Sequence, residues 1–259
     1  MIVISFDAST DDLELLGFLH DVADAAADTI DETMDWSFTG ERDGQYAGDV
    51  AVDEVVVDMC EAAGMFVLSE ESGAGDLEWP LPAGRLLVVV DPVDGSTNAS
   101  KGLPWFATSL CVVDEHGPRV ALVAEQSGSE TRYHAIRGHG AKVDGVPMRV
   151  RPNHDPSTAV VGVNALPGSG HGWWQVRSMG AASLDICSVA RGGLDGFIDF
   201  DGLHVWDYAA ALLVCTETGI LVTEADGLDP WTVDPTAVRR PLVANSPQML
   251  ASLRAATRQ

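Results

Sequence analysis

Residues 86–98 read LLVVVDPVDGSTN, an apolar run that ends in two carboxylates and a group of small polar residues. Five consecutive branched apolar residues predict a buried strand, which we expect Pro92 and Gly95 to end. Asp91 and Asp94, three residues apart, would then leave the strand together and point at one place. This loop is therefore the first candidate for a functional site.

The chemistry of this loop indicates a divalent cation and a phosphate. Two carboxylates about 4 Å apart repel each other by roughly 4 kcal/mol at an effective dielectric constant near 20. Mg²⁺ removes that repulsion, because it binds carboxylate oxygens and shares its other positions with water and substrate phosphate. The backbone N–H groups and hydroxyls of residues 95–97 suit a phosphate. Two successive turns, Asp-Pro and Asp-Gly, would explain the same residues without any function.

Three motifs, in chain order, resemble those of the inositol monophosphatase family, the Mg²⁺-dependent, lithium-sensitive sugar phosphatases. Residues 91–98 (DPVDGSTN) resemble its D-P-[IVL]-D-G-T-x-N signature, residues 69–72 (SEES) its G-E-E-S loop and residues 205–210 (VWDYAA) its W-D-x-A-A helix start. Residues 138–141 (GHGA) and 180–187 (GAASLDIC) are similar to two further parts of the family. The resemblance begins near Arg42 and covers most of the chain.

The resemblance implies a site for two Mg²⁺ ions that are bridged by Asp91. Glu70, Asp91 and the main-chain oxygen of Val93 would bind one ion, and Asp91, Asp94 and Asp207 the other. Such a pair of ions stabilises both the attacking and the leaving oxygen of an in-line displacement. Phosphoryl transfer mainly needs positioning and charge neutralisation, so no nucleophilic triad is required.

The resemblance also implies catalytic roles for Glu70, Asp53 and Ser96, which would share the nucleophilic water. Ser96 stands where the family usually has Thr, so the hydroxyl is kept. Asp53 is the best match to the family's water-orienting aspartate. Asp49 stays a second candidate because the segment from Asp53 to Glu70 is shorter than usual, and a solvated aspartate is the alternative for either. Glu71 lies either near the metal or in a solvated loop, and we favour the loop.

The residues expected to bind substrate divide into a phosphate group and a polyol group. The phosphate would lie on the N–H groups of Gly95, Ser96 and Thr97. The beginning of a helix at Gly180 and Ala181 would contact the sugar or polyol, as the resemblance implies.

The alcohol side of the site departs from the family pattern. The acid that inositol phosphatases use to hold a polyol hydroxyl aligns with Phe200, which is flanked by Asp199 and Asp201, and we assign the role to Asp201. Arg42 is the candidate for a basic loop residue near the site. His204 either contacts substrate or has a structural role.

Hydrophobic periodicity predicts two helices followed by antiparallel strands in the first half of the chain, and alternating strands and helices in the second. We expect Ser9 to be the N-cap of the first helix. The predicted helices span residues 9–30, 49–63, 182–190, 207–218 and 247–256. The predicted strands span residues 66–68, 86–90, 105–113, 120–124, 133–136, 148–150, 159–163, 194–200, 220–223 and 241–244.

These elements predict a fold of the α+β / α/β class, which the resemblance implies is the layered αβαβα sugar-phosphatase fold. Residues 1–150 would form an α+β half with an antiparallel sheet and most of the metal ligands. Residues 151–259 would form an α/β half with a mixed sheet that completes the active site.

The charge of the chain disfavours two classes of partner. Acidic residues outnumber basic ones 39 to 15, for a formal net charge of −24. Nucleic-acid binding draws much of its affinity from neutralised phosphates, and anionic membranes attract basic segments, so we expect neither partner. Because lysine occurs only as Lys101 and Lys142, the acidic surface also suggests a saline habitat as a hypothesis.

The cysteines and the N-terminus predict a cytoplasmic protein. Cys60, Cys111, Cys187 and Cys215 lie in apolar runs without a C-x-x-C motif, which predicts reduced core residues. The first residues lack a basic region, so we expect no signal peptide. We also expect no membrane span, because no stretch approaches about 18 uninterrupted apolar residues.

We expect a Mg²⁺-dependent phosphomonoesterase that acts on a small phosphorylated polyol or sugar, and the resemblance implies a homodimer. The alternatives are a fructose-1,6-bisphosphatase, a histidinol-phosphatase or a 3'-phosphoadenosine nucleotide phosphatase of the same fold, or a non-catalytic regulatory relative. The presence of all four acids, Glu70, Asp91, Asp94 and Asp207, argues against a non-catalytic protein.

Overall fold

The computed structural model describes residues 5–75, 77, 79–165 and 171–257. The helices in these ranges are α1 (Asp12–Glu32), α2 (Ala47–Ala62), α3 (Ser96–Lys101), α4 (Ala182–Arg191), α5 (Val205–Thr218) and α6 (Pro247–Ala256). The strands are β1 (Phe66–Ser69), β2 (Leu87–Asp94), β3 (Ala107–Asp114), β4 (Gly117–Glu125), β5 (Arg132–Ile136), β6 (Gly140–Val143), β7 (Val146–Pro147), β8 (Val160–Asn164), β9 (Gln175–Arg177), β10 (Gly196–Asp199), β11 (Leu221–Glu224) and β12 (Pro241–Ala244).

The strands form two sheets. The first has the order β1-β2-β3-β4-β5-β6-β7 and is antiparallel except for the parallel pair β1 and β2. The second has the order β11-β12-β10-β8-β9 and is mixed, with β8 parallel to both β9 and β10. The predicted fold class, with an antiparallel first sheet and a mixed second sheet, is confirmed.

The helices and sheets alternate in five layers. Helices α1 and α2 pack with one face of the first sheet through a buried apolar cluster, and α4 and α5 pack with its other face. The cluster around α4 and α5 also includes Phe197 and Val243 of the second sheet. Helix α6 covers the far face of that sheet through Met249 and Leu253. The order is therefore αβαβα, with α5 in the central layer between the two sheets.

Strand β2 lies between β1 and β3 in the first sheet, and all eight of its residues are buried. The expectation that Pro92 ends this strand is wrong. Asp91 pairs with Ser109 and Asp94 with Ala107, so one extra residue of β2 is accommodated as a bulge. A bulge lets a strand continue past a residue that cannot donate to the ladder, and it redirects the following side chains. The strand therefore carries both aspartates into the core.

Two local expectations from the first half are also wrong. The N-cap of α1 is Asp11, whose carboxylate accepts the Leu13 N–H at 2.9 Å, whereas the hydroxyl of Ser9 donates to Asp7. Residues 148–150 do not form a strand, because β6 and β7 already pair around the tight turn at Asp144 and Gly145. Both errors arise where a short segment contains several residues that could cap a helix or form a turn.

The four cysteines are free thiols and buried, as predicted. Among the described residues, none of the helices combines the length and the hydropathy that a bilayer-spanning segment requires.

The carboxyl end of α5 is attached to the first sheet by one side chain. The carboxylate of Glu217 accepts the N–H of Gly138 at 2.8 Å and the N–H of Gly140 at 2.9 Å. Both glycines have positive φ, which turns their N–H groups toward one acceptor. An acid in the last turn of a helix is unfavourable for the helix dipole, so these two hydrogen bonds give it a specific structural role.

We expect Glu217→Ala to lower the free energy of unfolding by about 1 kcal/mol, because two N–H groups lose a charged acceptor. Urea unfolding at neutral pH measures this change. Glu61→Ala is the matched control: Glu61 is exposed in the last turn of α2, and its replacement should shift stability by less than about 0.5 kcal/mol. Equal stability of the two variants would contradict the role of Glu217.

Candidate functional site

Three carboxylates from distant parts of the chain meet at the ends of β1 and β2 and the beginning of α5. Glu70 directly follows β1, and its N–H donates to the Val90 carbonyl of β2 at 3.2 Å. Asp91 lies in β2, and Asp207 is the third residue of α5. One carboxylate oxygen from each of Glu70, Asp91 and Asp207 lies within 4.8 Å of the others. We call these three residues the acidic cluster.

The acidic cluster is difficult to ionise. Burial, and then the charge of Glu70, raises the pKa of Asp91 and of Asp207 well above the usual range. Burial and the neighbouring Glu71 raise the pKa of Glu70 to about 7. Asp91 Oδ1 is buried and has no hydrogen-bond partner among the described residues. An all-oxygen donor set with such an atom fits a hard divalent cation such as Mg²⁺.

Asp94 connects this region to α4. Its Oδ1 accepts the Ala182 N–H at 3.0 Å, and its Oδ2 accepts both the Ser183 N–H at 2.7 Å and the Ser183 hydroxyl. Burial raises its pKa to about 6 in spite of these donors. Its charge raises the pKa of all three members of the acidic cluster, so it lies nearby. Val93, which precedes it, lies inside the bulge of β2.

The turn after Asp94 fits closely against the second half of the chain. Gly95 has φ of +89°, and a Cβ atom there would lie 3.0 Å from the carbonyl oxygen of Gly180. The side-chain amide of Asn98 donates to the carbonyls of Trp105 at 2.7 Å and Met179 at 2.8 Å. Both motif residues therefore hold the segment before α4 against the loop after α3.

The two candidate water-orienting aspartates lie on α2, one turn apart, and only Asp49 lines the pocket at the acidic cluster. Burial, followed by the charges of Glu71 and Glu70, raises the pKa of Asp49 to about 8. Asp49 and Ser96 line the same pocket. Asp53 accepts a hydrogen bond from the Ser69 hydroxyl instead. The structure brings Asp49, Glu70 and Ser96 together and places Asp53 behind them.

The residues predicted to bind substrate lie in different surroundings. Residues 95–97 form the turn into α3, where the first N–H groups of a helix have no intrahelical partner. Gly180 and the buried Ala181 directly precede α4 and face that turn. Asp201 is exposed beyond β10 and does not line the pocket at the acidic cluster.

A pocket of about 280 Å³ opens beside the acidic cluster. It is lined by Arg42, Asp43, Gly44, Asp49, Glu70, Glu71, Ser96, His204 and Trp206. Residues 38–46 form a loop over it that is closed by a bridge between Phe38 and Tyr46. Arg42 fixes the loop, because Nη1 donates to the Glu70 carbonyl at 2.6 Å and Nη2 to the Glu71 carboxylate at 2.7 Å.

Sequence reasoning missed some residues of this site. Ser183, which binds Asp94, is 89 positions away along the chain, and no local signal pairs the two. Asp185 accepts the Trp105 indole N–H at 2.8 Å and has a pKa that burial raises to about 8. We expected Glu71 to be an acid in a solvated loop. Its side chain is instead only 4% exposed and forms an ion pair with Arg42. A buried acid in an otherwise solvated motif has no signature in the sequence.

The sequence is similar to one known protein family and to several individual proteins. A model of the inositol monophosphatase family matches residues 11–259. Relatives include the Nus factor SuhB of Pasteurella multocida, 31% identical over 180 residues (62% of this chain and 63% of that protein, under two thirds of its length). A fructose-1,6-bisphosphatase of Pyrococcus furiosus is 31% identical over 186 residues (70% of each chain). An inositol-1-monophosphatase of Rhizobium meliloti is 37% identical over 153 residues (54% of this chain and 57% of that protein).

Solved structures show the same fold. A hypothetical protein from Pyrococcus horikoshii, described as having similarities for inositol-1 monophosphatase, aligns with a TM-score of 0.82 at 24% identity, over 95% of this chain and 99% of that chain. SaIMPase-II with bound inositol monophosphate aligns with a TM-score of 0.79 at 22% identity, over 95% and 94%. The family match spans nearly all of the sequence and the fold agrees with it, so this chain belongs to the inositol monophosphatase family.

Proposed function

We propose that this protein is a Mg²⁺-dependent phosphomonoesterase that hydrolyses a small phosphorylated polyol or sugar through two metal ions. The acidic cluster of Glu70, Asp91 and Asp207 is the observation that carries the proposal. These three residues, with Asp94 and the main-chain oxygen of Val93, would hold the ions. The ions would supply positive charge to the phosphate and lower the pKa of the attacking water.

The carboxylate of Asp94 can accept the hydrogen bonds from α4 and bind a cation at the same time. An ionised carboxylate has about four lone-pair positions, and the Ala182 and Ser183 groups occupy three of them. Ligation by Asp94 would therefore fix α4 and the acidic cluster relative to each other.

We assign the water-orienting role to Asp49 rather than Asp53. Asp49 lines the same pocket as Glu70 and Ser96, whereas Asp53 is bound to Ser69. Without a metal, a pKa of about 8 keeps Asp49 mostly protonated at neutral pH, so it can take a proton from water only when a nearby cation favours its ionised form. Binding of a cation beside it would lower that pKa.

We favour a substrate with one phosphate group. Arg42 is the only basic residue among those that line the described pocket, apart from His204, and both of its terminal nitrogens are already bound to Glu70 and Glu71. A second phosphate would therefore meet carboxylates without a free cation. This argument disfavours fructose 1,6-bisphosphate and 3'-phosphoadenosine nucleotides, and it leaves histidinol phosphate as an alternative monoester.

Other expectations stay predictions. These are inhibition by lithium, a homodimer, and the division of the chain into halves at residue 150. The non-catalytic alternative has support in a relative named as a Nus factor. Mg²⁺-dependent turnover would exclude it for this chain.

Phosphate release from a panel of inositol, sugar, histidinol and nucleotide phosphates tests the proposed activity. We expect turnover that requires Mg²⁺ and is inhibited by Li⁺, with monophosphates preferred. Asp91→Asn and Asp207→Asn should reduce kcat/KM by more than the roughly 10- to 100-fold typical of residues that only support a metal ligand.

Asp58→Asn is the control for these two variants, because Asp58 is an exposed acid on α2. It should retain wild-type activity. Wild-type activity in Asp91→Asn or Asp207→Asn would contradict the ligand assignment.

A comparison of Asp49→Asn with Asp53→Asn decides which aspartate orients the water. We expect Asp49→Asn to lower kcat about 100-fold, the lower range for loss of an acid–base group. Asp53→Asn should change kcat less than tenfold while lowering stability, because it weakens the bond from Ser69. Steady-state kinetics and urea unfolding of both variants provide the measurements, and the reverse order of the kcat effects would restore Asp53 to that role.

The raised pKa values predict how stability depends on pH without metal. In EDTA, the free energy of unfolding should fall from pH 7 to pH 8.5, because folded Asp49 (pKa about 8) and Glu70 (pKa about 7) keep protons that the unfolded chain has lost. Above pH 7 the histidines His20 and His134, whose pKa values are lowered by burial, are almost uncharged in both states.

Urea unfolding at constant molar salt measures this dependence. Mg²⁺ should stabilise the protein more at pH 8.5 than at pH 7, because metal binding releases the retained protons. Asp91→Asn should show a smaller loss of stability over the same range. A free energy of unfolding that is constant or rises with pH in EDTA would contradict the raised pKa values of Asp49 and Glu70.

A further inference from the structure

His204 forms part of the wall of the pocket beside the acidic cluster. It lines the same pocket as Asp49 and Ser96. Its main-chain N–H donates to Asp207 Oδ2 at 2.7 Å, and its ring stacks on Trp206 with centroids 4.8 Å apart and planes 17° apart. These contacts fix the ring at a defined distance from the carboxylates.

The described residues do not provide hydrogen-bond partners for both nitrogens of the His204 ring. The His204 side chain forms a capping box with Asp207 at the beginning of α5, and its Nδ1 atom is buried and does not face the pocket. Its Nε2 atom has no hydrogen-bond partner among the described residues and is not buried, so it is the ring nitrogen that a ligand in the pocket can reach.

The other polar groups of the pocket are already committed or negatively charged. Arg42 is bound to Glu70 and Glu71, and Ser96 lies in the turn that the proposed function assigns to the phosphate. Apart from Trp206, the remaining polar side chains on the described lining are carboxylates. A neutral imidazole can donate from one nitrogen and accept at the other, so it can bind a hydroxyl in either sense.

We propose that His204 is a specificity-determining residue that hydrogen-bonds to a hydroxyl of the substrate's alcohol portion, close to the esterified carbon. The flat face formed by His204 and Trp206 would support the carbon skeleton of that alcohol. This inference rests on the proposed phosphatase function and deepens it: the preferred substrate is a phosphate ester that carries a free hydroxyl, and an aryl phosphate lacks the contact.

Steady-state kinetics with two substrates tests the assignment. The first is the polyol or sugar monophosphate that wild type hydrolyses best, and the second is p-nitrophenyl phosphate, which has no free hydroxyl. We expect His204→Phe, which keeps a stacked ring without nitrogens, to raise KM for the hydroxylated substrate about tenfold. KM for p-nitrophenyl phosphate should rise less than threefold, and the Mg²⁺ concentration at half-maximal rate should move less than twofold.

A second variant separates hydrogen bonding from a structural role. His204→Gln keeps a donor and an acceptor, so it should recover at least half of the lost selectivity between the two substrates. His116→Ala is the control, because His116 lies at the tip of the β3–β4 hairpin with its side chain 73% exposed, and it should match wild type. Thermal unfolding monitored by circular dichroism verifies that each variant is folded.

The outcomes distinguish this inference from the proposed function. Equal KM increases for both substrates, or no change in either, would overturn the role of His204 while the phosphatase activity stands. If His204→Phe does not fold, the selectivity of His204→Gln decides alone, and unchanged KM values for both substrates would overturn the inference. No turnover of any substrate by wild type would instead overturn the proposed function.

Discussion

The structure depends on the burial of several carboxylates beside one another without basic residues to neutralise them. Glu70, Asp91 and Asp207 come from three separate elements, and their oxygens lie within 4.8 Å of one another. Arg42, which carries the one guanidinium on the described lining of the adjacent pocket, binds Glu71 and a main-chain carbonyl. A folded chain holds such an arrangement only when the rest of the core is rigid enough to resist the repulsion. Strand β2, buried on both faces, and α5, enclosed between two sheets, provide that rigidity.

The residues that follow the acidic cluster along β2 also connect this strand to the segment before α4. Asp94 binds the beginning of α4, Asn98 holds the carbonyls of Trp105 and Met179, and Gly95 lies in close contact with Gly180. The turn of residues 95–97 is therefore shaped from both sides. A change in the packing of α4 against this turn would also move the carboxylates of β2.

The two ends of the pocket have different physical characters. One end has main-chain N–H groups and carboxylates whose positions follow from β2, α3 and α5, and we propose that it binds the phosphate. The other end has side chains on the loop of residues 38–46 and on the turn before α5, and we propose that it faces the alcohol. Arg42 already has partners there and Asp201 lies outside the pocket, so under the proposed function His204 and Trp206 would be the surface that a substrate alcohol meets. Substrate choice would then depend on a few side chains rather than on the fold.

Much of the fold could be predicted because its patterns are local. The apolar run before Asp91 indicates a buried strand, and alternating elements beyond residue 151 indicate a mixed sheet with covering helices. The errors occurred where a decision is not local. Pro92 does not end β2, because pairing with β3 absorbs it in a bulge. The choice between Asp49 and Asp53, one helical turn apart, depends on which face of α2 meets Glu70.

The sequence by itself determined the fold class, the family and the three acids of the acidic cluster, since these follow from periodicity and from motifs of adjacent residues. Only the tertiary structure decided that Asp94 is bound by Ser183, that Glu71 is held by Arg42, and that Asp49 rather than Asp53 lies beside Ser96. Each of these is a contact between residues far apart along the chain. Their partners are selected by distance and burial in three dimensions, which no spacing along the chain encodes.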